Sequence, residues 1–181
     1  MTMNERDDRN DETAFQIDSD SDSAPLDESR FGTRRISDGD FVVRHGVDLV
    51  SIERIASLLA EFGESFQCRV FTASERTYCE KQGTPPQHYA ARWAAKEAFY
   101  KTLDTESPAI PLDSIEVIRE RTGPQLRLEP PAARALDEML DRRNVCPETT
   151  DIAVSLSHDR SAEYAIGSVT VFGVETGATD Q

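Results

Sequence analysis

No run of about eighteen consecutive apolar residues occurs in this 181-residue chain, and that is the length a membrane-spanning helix needs. Bases are scarce as well: 20 Lys and Arg face 34 Asp and Glu, a formal net charge of −14. Without a basic footprint there is no general attraction for nucleic acid or anionic membrane, and only a local basic patch would change that. The three cysteines, Cys68, Cys79 and Cys146, form no C-x-x-C pair. They suit reduced thiols in a cytoplasmic protein, acting as small buried hydrophobes. There is no G-x-x-x-x-G-K-[ST] phosphate loop and no repeat at solenoid periods. The opening MTMNERDDRNDE is acidic rather than a basic stretch leading into an apolar one, so the expected location is the cytoplasm.

The charge is distributed unevenly. Residues 1–43 hold twelve acids and five arginines, a net of −7, and residues 44–181 hold 22 acids and 15 bases, again −7. The first segment, with its tract DSDSDSAPLDES, buries too little apolar surface to offset the entropy of ordering. Residues 1–40 are therefore predicted to be a disordered tail, 41–176 one folded domain, and 177–181 a short C-terminal tail.

Structure is expected from Phe41 on. FVVRHGVDLV reads as a buried strand, with Gly46 a point of close backbone approach. SIERIASLLAEFGES reads as a helix capped by Ser51, with Ile52, Ile55, Leu58, Leu59 and Phe62 at helical spacing and Gly63 at its end. QCRVF reads as a short extended piece, and TASERTY starts a helix with the Thr72/Glu75 capping box that stops near Gly83. After Pro85 and Pro86 a long helix runs to about Leu103. SIEVIRE and QLRLE form a hairpin, Pro130 to Arg143 another helix, and DIAVSLSH and EYAIGSVTVFG two further strands. This order predicts an α+β fold, an antiparallel sheet packed against a long central helix and shorter helices, rather than a doubly wound parallel sheet.

Three stretches carry chemistry. On the long helix, AARWAAKEAFYK (residues 90–101), Ala91, Ala94, Ala95, Ala98 and Phe99 make an apolar stripe. Trp93, Glu97 and Lys101 form one row of that helix, and Arg92 and Lys96 the row beside it. Glu97 and Lys101 also stand in the order of an ordinary exposed ion pair, worth tenths of a kcal/mol. Asp48 lies inside the apolar strand, where an unpaired carboxylate costs several kcal/mol. It requires a partner: an arginine, or a metal ion shared with a second carboxylate such as Glu97. An Asp and a Glu leaving positions open for water and phosphate oxygens are what Mg²⁺ uses. SLSHDR, residues 155–160, ends a strand in hydroxyls, a histidine and an arginine, fit for a phosphate or for a turn.

Together these stretches resemble the holo-acyl-carrier-protein synthases, the small 4′-phosphopantetheinyl transferases. Gly46-Val47-Asp48 followed by a helix through SIERI, the AARWAAKEAFYK helix, and Ser155-Leu156-Ser157-His158 match the family's motifs in order over roughly residues 44–175. The resemblance implies transfer of the 4′-phosphopantetheine group from coenzyme A to a serine of an apo-acyl-carrier protein, leaving 3′,5′-ADP. It implies Mg²⁺ held by Asp48 and Glu97, with Lys101 on a phosphate, Arg92, His158 and Ser157 near the nucleotide, and Arg54 docking the acidic carrier. Glu97 is the expected route for the serine proton. A homotrimer with active sites between subunits is implied in the same way. The first helix departs from the expected basic face, carrying Glu53, Glu61 and Glu64 against Arg54 alone; either the carrier differs, or Arg69 and Arg76 supply the attraction. The alternatives are a non-catalytic module of the same fold that binds a carrier or coenzyme A, and a Mg²⁺-dependent phosphohydrolase.

Overall fold

The computed structural model describes residues 41–104, 109–159, 161 and 163–175. The acidic tail, the predicted C-terminal tail and Arg160 of SLSHDR lie outside them. The described chain runs β1 (Phe41–Ser51), α1 (Ile52–Val70), α2 (Ala73–Glu80), α3 (Pro85–Tyr100), β2 (Ile115–Glu120), β3 (Gly123–Leu128), α4 (Pro130–Asp141), β4 (Asp151–Asp159) and β5 (Tyr164–Val174). Strands β1, β5 and β4 form an antiparallel sheet in that order, and β2 and β3 form a separate hairpin. The expected α+β architecture is the one observed, with α3 as its central helix.

Helix α3 lies directly on the sheet because two strands offer no side chain beneath it. A Cβ at Gly46 would overlap the Ala98 carbonyl oxygen, and one at Gly167 the backbone of Ala94 and Ala95. The expected close approach at Gly46 is thus explained, and Ala91, Ala94, Ala95, Ala98 and Phe99 are all buried along the contact. On one side the core includes Ala132, Ala135, Leu136, Met139 and Leu140 of α4, which meet Val169 and Val171 of β5. On the other, Ile55, Phe71, Cys79 and Tyr89 pack together, with the Phe71 and Tyr89 rings edge to face at 4.8 Å.

Several boundaries differ from the sequence reading. Gly63 does not end the first helix. With φ 52° it kinks the chain, and the helix resumes through Val70, so QCRVF is helical up to its valine. A glycine reaches this left-handed backbone region without the Cβ penalty, so it marks a bend as readily as a stop. Strand β1 is buried on one face only: Phe41, Val43, Val47 and Leu49 are exposed. Of the cysteines, Cys79 is buried but Cys68 is exposed, and the Arg76 guanidinium donates to its sulfur at 3.0 Å. No helix among the described residues is long and apolar enough to cross a membrane.

Lys96 does not belong with the other charges of its helix. It is fully buried, and its ammonium donates to Glu75 Oε2 at 2.6 Å and to the Val70 and Leu112 carbonyls at 2.6 and 3.0 Å. Glu75 closes the predicted capping box with Thr72 and also accepts from the Val117 amide at 2.9 Å. This single pair ties α2, α3, the end of α1 and β2 together, while burial pulls the Lys96 pKa down against the attraction of Glu75. Removing one member of such a pair leaves the other charge uncompensated in the interior. Lys96→Met is therefore expected to lower the unfolding free energy by about 3–5 kcal/mol, measured by denaturant titration.

Candidate active site

The register of the sheet sets the site. Asp48 on β1, Gly167 on β5 and Leu156 on β4 stand side by side, and two strand spacings, about 9.6 Å, equal roughly the width of a helix. With α3 seated over Gly167, Asp48 emerges on one flank of the helix and the Leu156–His158 end of β4 on the other.

On the Asp48 flank the carboxylate is mostly covered, with 18% of its side chain exposed. Lys101 Nζ donates to its Oδ1 at 2.7 Å and to the Val47 carbonyl at 2.9 Å. The partner that Asp48 required is therefore a lysine, and the ammonium expected to pair with Glu97 along the helix reaches across to the strand instead. Burial pushes the Glu97 carboxyl up, the Asp48 charge pushes it further, and Lys101, a hydrogen bond from Trp93 and Arg54 offset part of this. Two carboxylates are thus held close enough to repel each other. Among the described residues no group of three His, Cys, Asp or Glu side chains is placed to hold a metal. The donor set is two hard oxygen ligands, which suits an ion that keeps waters and takes phosphate oxygens, as Mg²⁺ does, and does not suit zinc.

The other flank holds Arg92 and His158, which the structure brings into one cavity of about 470 Å³ together with Tyr78, His88, Arg119 and Arg121. Arg92 is buried, lies 4.0 Å over the Tyr78 ring and donates to the His88 carbonyl at 3.3 Å, and its Nε has no acceptor among the described residues. The His88 ring meets His158 edge to face at 5.3 Å. Arg92 and Glu97 are five residues apart, about 140° around the helix, so within one chain they point in different directions and Glu97 does not line the Arg92 cavity. Ser157 is not brought to His158. Strand alternation puts it on the outward face, opposite Ile166.

Arg54 and Arg69 line a third cavity, of about 760 Å³, whose walls include Leu58, Phe62, Phe66 and Trp93. The Trp93 and Phe66 rings stack at 5.4 Å. The acids of α1 that disturbed its expected basic face, Glu53, Glu61 and Glu64, are not among the lining residues, and Arg76 turns away toward Cys68 and Glu64.

Sequence reasoning missed Tyr78 and His88 as neighbours of Arg92. His88 stands one turn before Arg92, at the i, i+4 spacing that signals a shared face. Tyr78 comes from α2, and no local pattern announces it.

Residues 44–167 match the model of the 4′-phosphopantetheinyl transferase superfamily. The chain is 42% identical over 123 residues to a holo-[acyl-carrier-protein] synthase of Syntrophus aciditrophicus, covering 67% of this chain and 90% of that one. It is 38% identical over 141 residues to the synthase of the same description from Chloroflexus aggregans, covering 71% and 94%. Among solved structures, the ACPS-CoA complex of Chronobacterium ammoniagenes is similar with a TM-score of 0.59 and 30% identity, covering 75% of this chain and 99% of that one.

Because the folded Glu97 carboxyl titrates above its unfolded value, its contribution to stability is largest below the unfolded value and is lost as pH rises through the folded one. At neutral pH its charge therefore weakens the metal-free fold. Glu97→Gln is expected to raise the melting temperature at pH 7 in a chelator, with the gap to the unsubstituted protein closing as the pH is lowered. An unchanged or lower melting temperature at pH 7 would contradict this reading of the site.

Proposed function

The chain belongs to the 4′-phosphopantetheinyl transferase superfamily, and from that membership and the crowded acid pair we propose how it works: Asp48 and Glu97 hold Mg²⁺ beside the pyrophosphate of coenzyme A. The activity is transfer of phosphopantetheine from coenzyme A to an apo-acyl-carrier protein, giving the holo carrier and 3′,5′-ADP. The metal assignment rests on two hard carboxylates set near each other, the Asp48 charge adding to burial in raising the Glu97 carboxyl, a charge that a divalent cation would offset. When bound, the ion would offset charge on the pyrophosphate as the bond between its phosphorus atoms' bridging oxygen and the transferred group breaks. Lys101, already directed at Asp48, supplies a second positive charge within reach of the same oxygens. Glu97 is the group that takes the proton of the attacking carrier serine. Residues 41–176 are assigned to this domain.

Arg92, buried with an unpartnered Nε, and His158 are assigned to the nucleotide and its phosphates. Since they occupy the flank opposite Asp48, a site using both sets is formed by two copies, with Ser157 joining from the outward sheet face. That face supports a homotrimer, because Val43, Val47, Leu49, Ile166 and Phe172 are exposed on it in the isolated chain, with the hydrogen-bonded His45 and Thr170 set among them. The cavity flanked by Arg54 and Arg69 is assigned to the acidic carrier, its apolar walls receiving a carrier side chain beside Glu97.

Incubation with coenzyme A, Mg²⁺ and an apo-carrier is expected to add one phosphopantetheine unit, roughly a third of a kilodalton, to the carrier mass. Asp48→Asn and Glu97→Gln are each expected to cut turnover by about a hundredfold or more, and near-normal turnover in Glu97→Gln with Mg²⁺ present would remove its role as base. Leu49→Asp is expected to reduce the sedimenting mass from three chains to one chain of 20.2 kDa and to abolish transfer. A Leu49→Asp protein that remains trimeric would show that another surface makes the assembly.

A further inference from the structure

Tyr78 stands where the groups of the Arg92 cavity meet. It comes from α2, and its ring lies 4.0 Å from the guanidinium of Arg92, which belongs to α3. Its hydroxyl accepts from Arg119 Nη1, near the end of β2, at 3.2 Å. The His88 ring meets it edge to face at 5.9 Å and continues the contact to His158 of β4 at 5.3 Å. One side chain thus joins α3 to β2 and, through His88, to β4. Around the cavity Arg92, Arg119 and Arg121 set three positive charges against one lining carboxylate, that of Glu120. Like charges on one cavity repel, so their directions have to be fixed by something other than each other.

Arg92 shows how this is done. It is 5% exposed, Nη1 donates to the His88 carbonyl, and Nε has no acceptor among the described residues. A buried cation needs compensation. A carboxylate would give it by occupying the donors, as Glu75 does for Lys96. An aromatic face gives it through the ring quadrupole and occupies none of them, so the guanidinium fork stays available to phosphate oxygens. We propose that Tyr78 is a positioning residue for coenzyme A: its ring holds Arg92 and its hydroxyl holds Arg119, so that both present donors to a phosphate in the cavity. This rests on the assignment of Arg92 to the nucleotide and its phosphates. Tyr78 acts only through the two arginines, and its two contacts are separable. Tyr78→Phe keeps the ring and loses the acceptor for Arg119, whereas Tyr78→Leu loses both.

The test is steady-state transfer with coenzyme A varied at saturating carrier and Mg²⁺. Tyr78→Phe is expected to raise the KM for coenzyme A about threefold. Tyr78→Leu is expected to raise it about tenfold or more, with kcat and the KM for the carrier within about twofold of the unsubstituted enzyme in both variants. Because Tyr78 acts through Arg92, Tyr78→Leu is expected to add little further loss in an Arg92→Lys background. A role in packing alone would lower the melting temperature and leave the KM for coenzyme A unchanged, or would add its loss in full to that of Arg92→Lys, and either result overturns the proposal. Tyr78→Phe preserves the ring that packs in the fold, so it reports even where Tyr78→Leu does not fold, and an unchanged KM in Tyr78→Phe also overturns the proposal. An unchanged KM for coenzyme A in Arg92→Lys would overturn the nucleotide assignment and this inference with it. A raised KM in Arg92→Lys beside unchanged values in both Tyr78 variants would overturn this inference alone.

Discussion

The contact of α3 with the bare backbone of the sheet is the constraint on which the molecule depends. At Gly46 and Gly167 the helix backbone lies where a Cβ would otherwise be, and the alanines facing it add no bulk. This closeness brings Lys101 to Asp48 and lets Asp48 raise the Glu97 pKa. A larger residue at either glycine would lift the helix and separate groups whose interaction falls with distance. The same seating makes α3 a wall between Asp48 on one strand and His158 two strands away.

Helix α3 carries charges of two kinds within six residues. Lys96 is an interior tie: its ammonium is consumed by Glu75 and two carbonyls, and nothing of it reaches solvent. Glu97 and Lys101 lie at the edge of the same helix, partly desolvated, with one engaged across the strand and the other raised by a like charge. The difference is one of angular position, about 100° per residue, and it separates a lysine that ties the interior together from a carboxylate whose burial and like-charged neighbour disfavour its ionised form. Perturbed acids at functional sites commonly arise in this way.

The sheet has a second use. Its inner face receives α3 and α4, while its outer face exposes Val43, Val47, Leu49, Ile166 and Phe172. Strand β1 thus carries apolar side chains on its outer face as well, and its own chain covers only the inner one.

The helix, the strands and the motif positions were legible in the residues themselves, because helical and strand periodicity, the Thr72/Glu75 box and the paired prolines are local signals. Asp48 was legible as an acid in need of a partner, since a carboxylate inside an apolar strand has few stable solutions, and the structure supplies Lys101. Local sequence did not show that Gly63 bends a helix instead of ending it, that Lys96 is interior, that Tyr78 lies beneath Arg92, or that Ser157 and His158 face apart. Each of these depends on which surface another element covers, and that is decided by packing between segments far apart in the chain.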